Sequence, residues 1–408
     1  MHRRDGSNVE TMRAESVLSP GRNADHDTSG FRPAVSGDGR SPLWDGLARM
    51  DGLLSPQRIE SPATWSLFRG RERASRPWPA DGGLVGAASR REPDLGPRFD
   101  AHVVPGGYAW WYVDALSDDQ NHGLTMIAFI GSVFSPYYAW SRRRGRYTPE
   151  AHCAFNIALY ERGRHWWAMT ERGKGSMTAT PQRLAIGPSQ LSWNGRKLVA
   201  QIEEVTAPLP AKIIGEIELE PLCLTGFSAT LDTNERHRWR PLAPVARVRV
   251  RLDRPKMEWS GQGYFDSNSG DVPLEAGFER WDWSRTIERN RTRILYDVTT
   301  PTGESSALAL DCNASGAVVP VDVPPAADLG RTFWRLERQT RADRGAQPKV
   351  RSTWEDGPFY ARSLIDTSIA GDAVSAIHET LSLARFRRPI VQAMLPFRMP
   401  RRSCPPRG

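Results

Sequence analysis

From about residue 99 the chain alternates apolar and polar residues with a period of two, and Gly, Pro, Asn and Asp recur at short intervals. This period is typical of β-strands with one buried and one exposed face. No long amphipathic helical repeat precedes residue 372. The pattern therefore predicts an all-β protein built from barrels or sandwiches. Its clearest strands are residues 214–220 (IGEIELE), 247–253 (RVRVRLD), 291–298 (RTRILYDV) and 359–365 (FYARSLI).

One stretch of 19 residues, 123–141 (GLTMIAFIGSVFSPYYAWS), carries no charge and just reaches the length of a membrane span. It contains Gly, Ser and Pro, and it follows a strand-like GYAWWYVDAL and the turn-forming sequence SDDQNHG. Strand, turn and strand in this order indicate a hairpin. We interpret the stretch as the buried second strand of a β-hairpin and the residues after it, and not as a transmembrane helix.

The β-rich region of roughly 270 residues is too long for one small barrel. We divide it near residue 232, where LDTNERHRWRPLAP interrupts the strand pattern. This predicts two consecutive β-domains, residues 98–232 and 233–370. Residues 1–97 contain 12 Gly, 9 Pro and 11 Ser, about a third of the segment. Such a composition argues against a packed core and predicts a disordered leader.

The formal net charge of +8 is concentrated at the C-terminal end. Residues 376–408 contain seven Arg and one Glu, which supply +6 and leave +2 for the rest of the chain. Nucleic-acid binding needs a basic stripe on a folded face, so it is not predicted. We predict instead a short basic amphipathic segment over residues 371–408. It either packs across the second domain or contacts an anionic membrane surface, with Arg at lipid headgroups and Phe and Leu in the interface.

Four cysteines lie far apart, without a CxxC pair or a His at metal-ligand spacing. The sequence therefore predicts no metal site. The first twenty residues lack the apolar run of a signal peptide, so we expect a cytoplasmic protein with reduced thiols. There is no phosphate-binding loop and no GxSxG motif, which removes the usual support for kinase, NTPase and α/β-hydrolase chemistry.

Tryptophan is unusually frequent, with 15 residues. In a strand, Trp281 and Trp283 project from the same face. The tryptophans either fill the core of β-domains or line a large apolar cavity suited to a long unsaturated ligand. They are often paired or alternating, as at Trp110 and Trp111, at Trp166 and Trp167, at Trp281 and Trp283, and near Trp239 and Trp259.

Two short segments combine aromatic and ionisable residues at the spacing of one strand face. His237 and Trp239 are two residues apart, as are Tyr264 and Asp266. In extended chain each pair projects to one side. If both sides face the interior of the second domain, an acid, an imidazole and two aromatic rings converge in an apolar pocket. The alternative places Asp266 exposed in the turn DSNSGD and bonds His237 to the backbone.

Long blocks of the chain, spread over residues 98–402, closely resemble the acyclic carotenoid 1,2-hydratase family, also called hydroxyneurosporene synthase. The leader lies outside this resemblance. The blocks are FDAHVVPGGYAWWYVDALSDDQNHGLTMIAFIGSVFSPYY, WAMTERG, LAIGPSQ, EEVTAPLP, HRWRPLAP, GQGYFDSNSGDVPLE with FERWDWSR, and AMLPFRMPRR.

The resemblance implies two consecutive lipocalin-like β-barrel domains and the addition of water, without a cofactor, to the terminal 1,2 double bond of acyclic carotenoids such as neurosporene and lycopene. It places the protein in the carotenoid synthesis of photosynthetic bacteria. The proposed catalytic acid of the family falls on Asp266, and its supporting residues fall on His237, Trp239 and Tyr264. Whether His237 orients the acid or accepts a proton from water is open.

The expected hydration reaction predicts both the state of the acid and the location of the protein. Protonating an alkene needs a protonated acid, and burial in an apolar pocket raises the pKa of an aspartate. A carotenoid substrate lies in the membrane, so we expect a cytoplasmic enzyme peripherally associated with the cytoplasmic or photosynthetic membrane. The competing hypothesis is a non-catalytic, lipocalin-like carotenoid-binding carrier. A structural β-protein of the cell surface is disfavoured because no signal peptide is seen.

Overall fold

Alternating residues form strands along most of the chain that the computed structural model describes, residues 95–402 and the two residues Arg76–Pro77. The all-β class predicted from the sequence is confirmed. The predicted disordered leader, residues 1–97, lies outside the described residues except for these two and residues 95–97.

The strands are named in chain order. The first twelve are β1 (Arg76–Pro77), β2 (Tyr108–Ser117), β3 (His122–Ile130), β4 (Cys153–Glu161), β5 (Arg164–Arg172), β6 (Met177–Thr180), β7 (Arg183–Ile186), β8 (Ser189–Trp193), β9 (Leu198–Val205), β10 (Lys212–Pro221), β11 (Ala229–Thr230) and β12 (His237–Arg254). The others are β13 (Met257–Gly270), β14 (Arg280–Thr286), β15 (Arg291–Thr299), β16 (Ser305–Asn313), β17 (Val318–Pro320), β18 (Ala326–Arg331), β19 (Glu337–Arg341), β20 (Lys349–Asp356), β21 (Tyr360–Ile369), β22 (Asp372–Ser382) and β23 (Arg401–Arg402).

The helices of the described residues are short. Ser135 caps the first of them, since its hydroxyl accepts a hydrogen bond from the backbone N–H of Tyr138 at 3.0 Å. The α-helices are α1 (Pro136–Arg143), α2 (Leu274–Gly277), α3 (Leu383–Phe386) and α4 (Pro389–Met394), and single 3-10 turns span Pro149–Ala151, Lys174–Ser176 and Leu395–Phe397. None of the helices in this part of the chain has the length and apolar content needed to cross a bilayer.

The strands form two large sheets and a small ribbon. The larger sheet has the order β23-β5-β4-β3-β2-β13-β12-β10-β9-β8-β7-β6, with β11 beside β12. The smaller sheet has the order β1-β16-β15-β14-β22-β21-β20, with β17 beside β16, and β18 pairs with β19. The pairing of β2 with β13 joins residues about 150 positions apart and places the candidate site in the middle of the larger sheet.

Two hydrophobic cores lie on opposite faces of the larger sheet. In β2, Tyr108, Trp110 and Tyr112 belong to the core that the larger sheet shares with the smaller one. The intervening Trp111 and Val113 belong to a second core, which the curled larger sheet encloses. Because successive side chains of a strand point to opposite faces, β2 is buried along its whole length.

The structure confirms the predicted strands and the hairpin. The four clearest segments fall within or overlap β10, β12, β15 and β21. Strands β2 and β3 pair in antiparallel register from Ala109 with Ile130 to Leu116 with Gly123. The uncharged stretch 123–141 forms most of β3 and the first part of α1, and it is not one long helix.

The interruption predicted at residue 232 is shorter than expected. HRWRPLAP is part of β12, which runs without a break from His237 to Arg254. Two register shifts, between Arg240 and Ala243 and between Ala243 and Ala246, accommodate the prolines of this stretch. Bulges of this kind tolerate proline because they leave a backbone N–H outside the ladder. The chain passes from the larger to the smaller sheet after β13, and the division into domains 98–232 and 233–370 stays a prediction.

The basic segment predicted over residues 371–408 begins with β22, which lies between β14 and β21 in the smaller sheet. After it, α3, α4 and the final 3-10 turn lie along the core that the two sheets share. Residues 403–408 lie outside the described residues. The buried apolar residues that follow β22 are Leu383, Phe386, Val391, Leu395 and Met399.

Gly261 lies opposite Ser117 in the pairing of β13 with β2. A Cβ added there would lie 2.0 Å from the carbonyl oxygen of Leu116, a backbone atom that cannot rotate away. We expect Gly261→Ala to lower the free energy of unfolding by about 1–3 kcal/mol, measured by urea denaturation. The control is Gly263→Ala, whose Cβ would lie 3.1 Å from a mobile methyl group of Leu219. Equal stability losses in the two variants would contradict this packing.

Candidate active site

The four residues singled out from the sequence lie on the same face of β12 and β13. His237 is opposite Gly270, and Trp239 is opposite Asn268, in the register of these strands. Asp266 and Tyr264 follow on β13, where they lie opposite Tyr112 and Asp114 of β2. All four are buried. Asp266 therefore does not lie exposed in a turn, as the alternative interpretation had it.

The carboxyl group of Asp266 is held by one of its two oxygens. Trp239 Nε1 donates a hydrogen bond to Asp266 Oδ2 at 2.9 Å, and the Tyr264 hydroxyl donates to the same oxygen at 2.8 Å. The other oxygen, Oδ1, is buried and accepts no hydrogen bond from any described residue. One oxygen is thus fixed by two neutral donors, and the other is free to carry a proton.

Burial raises the pKa of Asp266 to about 7. The hydrogen bonds from Trp239 and Tyr264 oppose this effect, because they stabilise the carboxylate, while the nearby carboxylates of Glu379 and Asp114 reinforce it. At neutral pH a large fraction of Asp266 is therefore protonated. A free aspartate, with a pKa of about 3.9, is almost wholly ionised under the same conditions.

The structure does not bring His237 to Asp266. Its Nδ1 is 2.9 Å from the hydroxyl of Tyr108, and its ring packs 4.7 Å from that of Phe278. Gly270 is the residue opposite His237 in the pairing of β12 with β13. Asp266 is four residues from Gly270 along β13, so the Cα atoms of Asp266 and Gly270 are about 13 Å apart. Burial lowers the pKa of His237 to about 4, so the imidazole is neutral at pH 7. The neutral ring lies in contact with Tyr108 and Phe278.

Gly277 fits against the other side of this imidazole. A Cβ at this position would lie 2.2 Å from His237 Nε2. Helix α2 can therefore pack over the ring only with glycine at its end. The ring of His237 therefore packs between Tyr108, Phe278 and the backbone of α2.

Aromatic rings from both sheets surround Asp266. Trp281 and Trp283 project from the same face of β14, as their spacing predicts, and both belong to the core shared by the two sheets. The aromatic residues are thus core residues and also form the immediate surroundings of the acid. The ring contacts, as centroid distances, are Trp239 with Tyr296 at 5.1 Å, Trp281 with Tyr296 at 5.0 Å, Tyr264 with Trp283 at 5.3 Å, and Tyr112 with Trp283 at 5.7 Å.

Residues 95–402 contain no group of three or more His, Cys, Asp or Glu side chains placed to hold a metal ion. Of the four cysteines, Cys153, Cys223 and Cys312 are free thiols, and the fourth, Cys404, lies outside the described residues. The groups that the structure places at this site are the carboxyl group of Asp266 and the aromatic side chains that bind it, Trp239 and Tyr264.

Comparison with known proteins identifies the family. The family model for carotenoid hydratase CrtC matches residues 126–405. An acyclic carotenoid 1,2-hydratase from Thiocapsa roseopersicina is 48% identical, and the match covers 96% of this chain and 99% of that protein. An enzyme of the same name from Rubrivivax gelatinosus is 44% identical, with 92% and 94% covered.

The chain belongs to the carotenoid hydratase family. Its fold is also related to that of a solved structure, a Nitrosomonas europaea protein described as AttH. The two chains superpose with a TM-score of 0.50 at 13% identity, over 74% of this chain and 99% of that one. The lipocalin-like fold class predicted from the sequence is thereby confirmed.

Sequence reasoning missed a buried ionic cluster beside the acid in this carotenoid hydratase family member. Arg285 binds Asp114 through two hydrogen bonds, of 3.0 and 2.6 Å. Arg362 lies 3.3 Å from the same carboxylate and also contacts Glu379, which accepts a hydrogen bond from Tyr112 at 2.8 Å. Asp114, Arg285 and Arg362 are almost completely buried.

One residue of this ionic cluster, Asp114, is recognisable in the sequence. Asp114 is the only charged residue of β2 (YAWWYVDALS), and a buried charge requires a partner of opposite sign. The partners are not visible in the sequence, because they come from β14 and β21, which lie about 170 and 250 positions away along the chain. Tyr108, the partner of His237, is also remote, at 129 positions along the chain.

The raised pKa of Asp266 makes stability depend on pH. Between the pKa of the unfolded chain, about 3.9, and that of the folded protein, the folded state binds an extra proton. The stabilisation is complete below pH 4 and is lost as the pH rises through 7, by about 4 kcal/mol for a shift of about three units. We expect Asp266→Asn to lose less stability than the wild type between pH 4 and 8.

The measurement is urea denaturation of both proteins across this pH range. Asp322→Asn, at an exposed position, is the control and should follow the wild-type curve. Parallel curves for the wild type and Asp266→Asn would show that Asp266 titrates as an ordinary aspartate.

Proposed function

We propose that the protein is a carotenoid 1,2-hydratase, which adds water to the terminal 1,2 double bond of acyclic carotenoids such as neurosporene and lycopene. The observation that supports this most directly is Asp266, a buried carboxyl group with a pKa of about 7 and one oxygen free to donate a proton among aromatic rings. The family relatives carry the name of this activity.

In the proposed reaction Asp266 is the general acid. Its Oδ1 transfers a proton to the inner carbon of the double bond, and a tertiary carbocation forms on the outer carbon. The two donors on Oδ2, Trp239 Nε1 and the Tyr264 hydroxyl, then stabilise the carboxylate that is left. Hydrogen bonds that strengthen as charge develops lower the barrier, because they are worth more in the transition state than before it.

The aromatic rings stabilise the cation. Trp239 and Tyr264 bind Asp266, and Trp283 packs against Tyr264. The π faces of such rings attract positive charge. A desolvated cation–π contact of about 2 kcal/mol, present only in the transition state, corresponds to roughly thirtyfold in rate. The same rings exclude bulk water, so that only water bound at the site reaches the cation.

Water completes the addition, and a proton returns to the carboxylate of Asp266. The net reaction is the addition of one water molecule without oxidation or reduction, so the proposal needs no cofactor. His237 acts in it through Tyr108 as a positioning residue, because its ring is too far from Asp266 to exchange a proton with it directly.

The alternative is a non-catalytic carotenoid-binding carrier of the same fold. A carrier needs the aromatic lining but gains nothing from Asp266. Burying this carboxyl group raises its pKa by about three units and so costs stability at neutral pH. A carrier would be more stable with an apolar or amide side chain here, which favours the hydratase.

The proposal is tested with purified protein and lycopene in liposomes, without added cofactor, in water enriched in heavy oxygen. We expect the wild type to form a labelled tertiary alcohol, detected by mass spectrometry. Asp266→Asn should reduce the rate about a hundredfold or more, the usual effect of losing a general acid. The wild-type rate should fall as the pH rises above 7, because the acid must be protonated.

Asp322→Asn, at an exposed position, is the matched control and should keep the wild-type rate. Bound but unchanged lycopene with every variant, in an assay where a purified active relative forms product, would favour the carrier. Labelled product from Asp266→Asn at the wild-type rate would remove Asp266 from the mechanism.

We infer that the protein works in the cytoplasm, docked peripherally on the cytoplasmic or photosynthetic membrane. The docking surface consists of Ile390 and Phe397, which are 60% and 69% exposed, with the exposed Arg387 and Arg388 beside them. Ile390 and Phe397 are separated by about two helical turns of α4 and the following 3-10 turn, so they project to similar sides. Apolar side chains flanked by Arg suit the interface of an anionic bilayer.

Docking is tested by substitution and not by deletion, because most other apolar residues of this segment are part of the core. We expect the double variant Ile390→Ser, Phe397→Ser to bind anionic liposomes at least about tenfold more weakly, since each side chain loses part of its burial in lipid. The control is Leu209→Ser, Val319→Ser, at two other exposed apolar positions. Equal liposome binding by both double variants in flotation assays would refute this surface.

A further inference from the structure

Asn268 lies beside the acid on the inner face of β13. It is two residues from Asp266, so both side chains project to the same side of the strand. Across the sheet it is flanked by Trp239 of β12 and Trp110 of β2. Only 4% of Asn268 is exposed. A polar amide is therefore buried in a row of the sheet whose two neighbouring positions are tryptophans, two residues from the carboxyl group that the proposed function uses.

The amide oxygen of Asn268 is left without a partner by the protein. No described residue donates a hydrogen bond to Asn268 Oδ1, and the same is true of Asp266 Oδ1. Buried polar atoms without partners are rare and are retained where they serve a bound group. The two Cα atoms are about 6.7 Å apart along the strand, a separation over which one water molecule can bridge the side chains.

The reacting water needs partners that accept hydrogen bonds. It attacks the cation with an oxygen lone pair, so its hydrogens must point to acceptors. Trp283 Nε1 is also buried without a partner, but an indole N–H only donates. Thr230 lies opposite Arg238, on the other face from Trp239. His237 Nε2 is one row farther from Asp266 than Asn268 and faces Gly277. Of these groups, Asn268 is the one that offers an unpartnered acceptor beside the acid.

We propose that Asn268 accepts a hydrogen bond from the water that captures the carbocation and so orients its attack, an inference that rests on the proposed hydratase activity. The proton of Asp266 Oδ1 forms the new C–H bond with the π electrons of the alkene. A lone pair of the water held by Asn268 forms the C–O bond. One proton of the resulting oxonium returns to the Asp266 carboxylate, which restores the acid.

With this role, substitution of Asn268 changes the product that the cation gives and leaves the formation of the cation unchanged. Without an oriented water, the cation returns a proton from its inner carbon to the Asp266 carboxylate, which restores both the acid and the 1,2 double bond. In heavy water the restored alkene retains deuterium delivered by Asp266. We expect Asn268→Leu to raise the ratio of deuterated recovered lycopene to alcohol roughly tenfold, the effect of one net hydrogen bond on the capture step. Mass spectrometry of lycopene and product from liposomes measures this ratio.

Matched variants separate this role from a structural one. Asn268→Asp keeps an acceptor oxygen in place and should retain alcohol as the main product. Ser269→Ala, at an exposed position of the same strand, should leave the ratio unchanged. If Asn268→Leu does not fold, Asn268→Ala takes its place with the same expected change, because it adds no volume.

The outcomes are distinguishable from failure of the hydratase proposal. If the wild type forms neither alcohol nor deuterated lycopene, the hydratase proposal fails. If the wild type is active and folded Asn268→Leu shows the wild-type ratio, or loses alcohol and deuterated lycopene equally, the role of Asn268 is refuted. A raised ratio in Asn268→Leu, with Asp266→Asn forming neither species, supports it.

Discussion

The burial of one carboxyl group, Asp266, is the constraint on which the rest of the structure depends. An aspartate keeps a proton near neutral pH only when water is excluded and no cation is within bonding distance. Both conditions are met here by the packing of the two sheets. The aromatic side chains of β12, β13, β14 and β15 close around the carboxyl group. The groups that bind it, Trp239 and Tyr264, are neutral donors.

The ionic cluster beside the site shows why Asp266, and not another buried carboxylate, is suited to be the acid. Asp114 is bound by Arg285 through two hydrogen bonds, and Arg362 contacts both Asp114 and Glu379. Burial raises the pKa of Glu379, but the guanidinium of Arg362 opposes it directly. The positive charges of the two arginines thus offset the negative charges of Asp114 and Glu379 next to Asp266. Asp266 is bound only by neutral donors, so that no guanidinium opposes the rise of its pKa on burial.

Much of this arrangement was predictable from the sequence, for a simple reason. Strands have a period of two, so pairs such as Tyr264 and Asp266 had to share a face, and alternation identified the strands that carry them. Which elements face that surface was not predictable. Tyr108 binds His237 across 129 positions, and Arg285 binds Asp114 across 171. Such contacts depend on strand order and on sheet packing, which no local pattern encodes. For this reason the expected contact of His237 with Asp266 was not found, and the actual partner was missed.

The pairing of β13 with β2 links the stability of the fold to its chemistry. Even-numbered residues of β2 from Tyr108 to Tyr112 face the site, while Trp111 and Val113 face the second core. The same alternation in β13 places Tyr264 and Asp266 on one face and Phe265 on the other. A slip of one residue would exchange the two faces and carry the acid into the second core. The second core, which contains none of the four candidate residues, therefore holds β13 in the register that presents Asp266 to the aromatic rings.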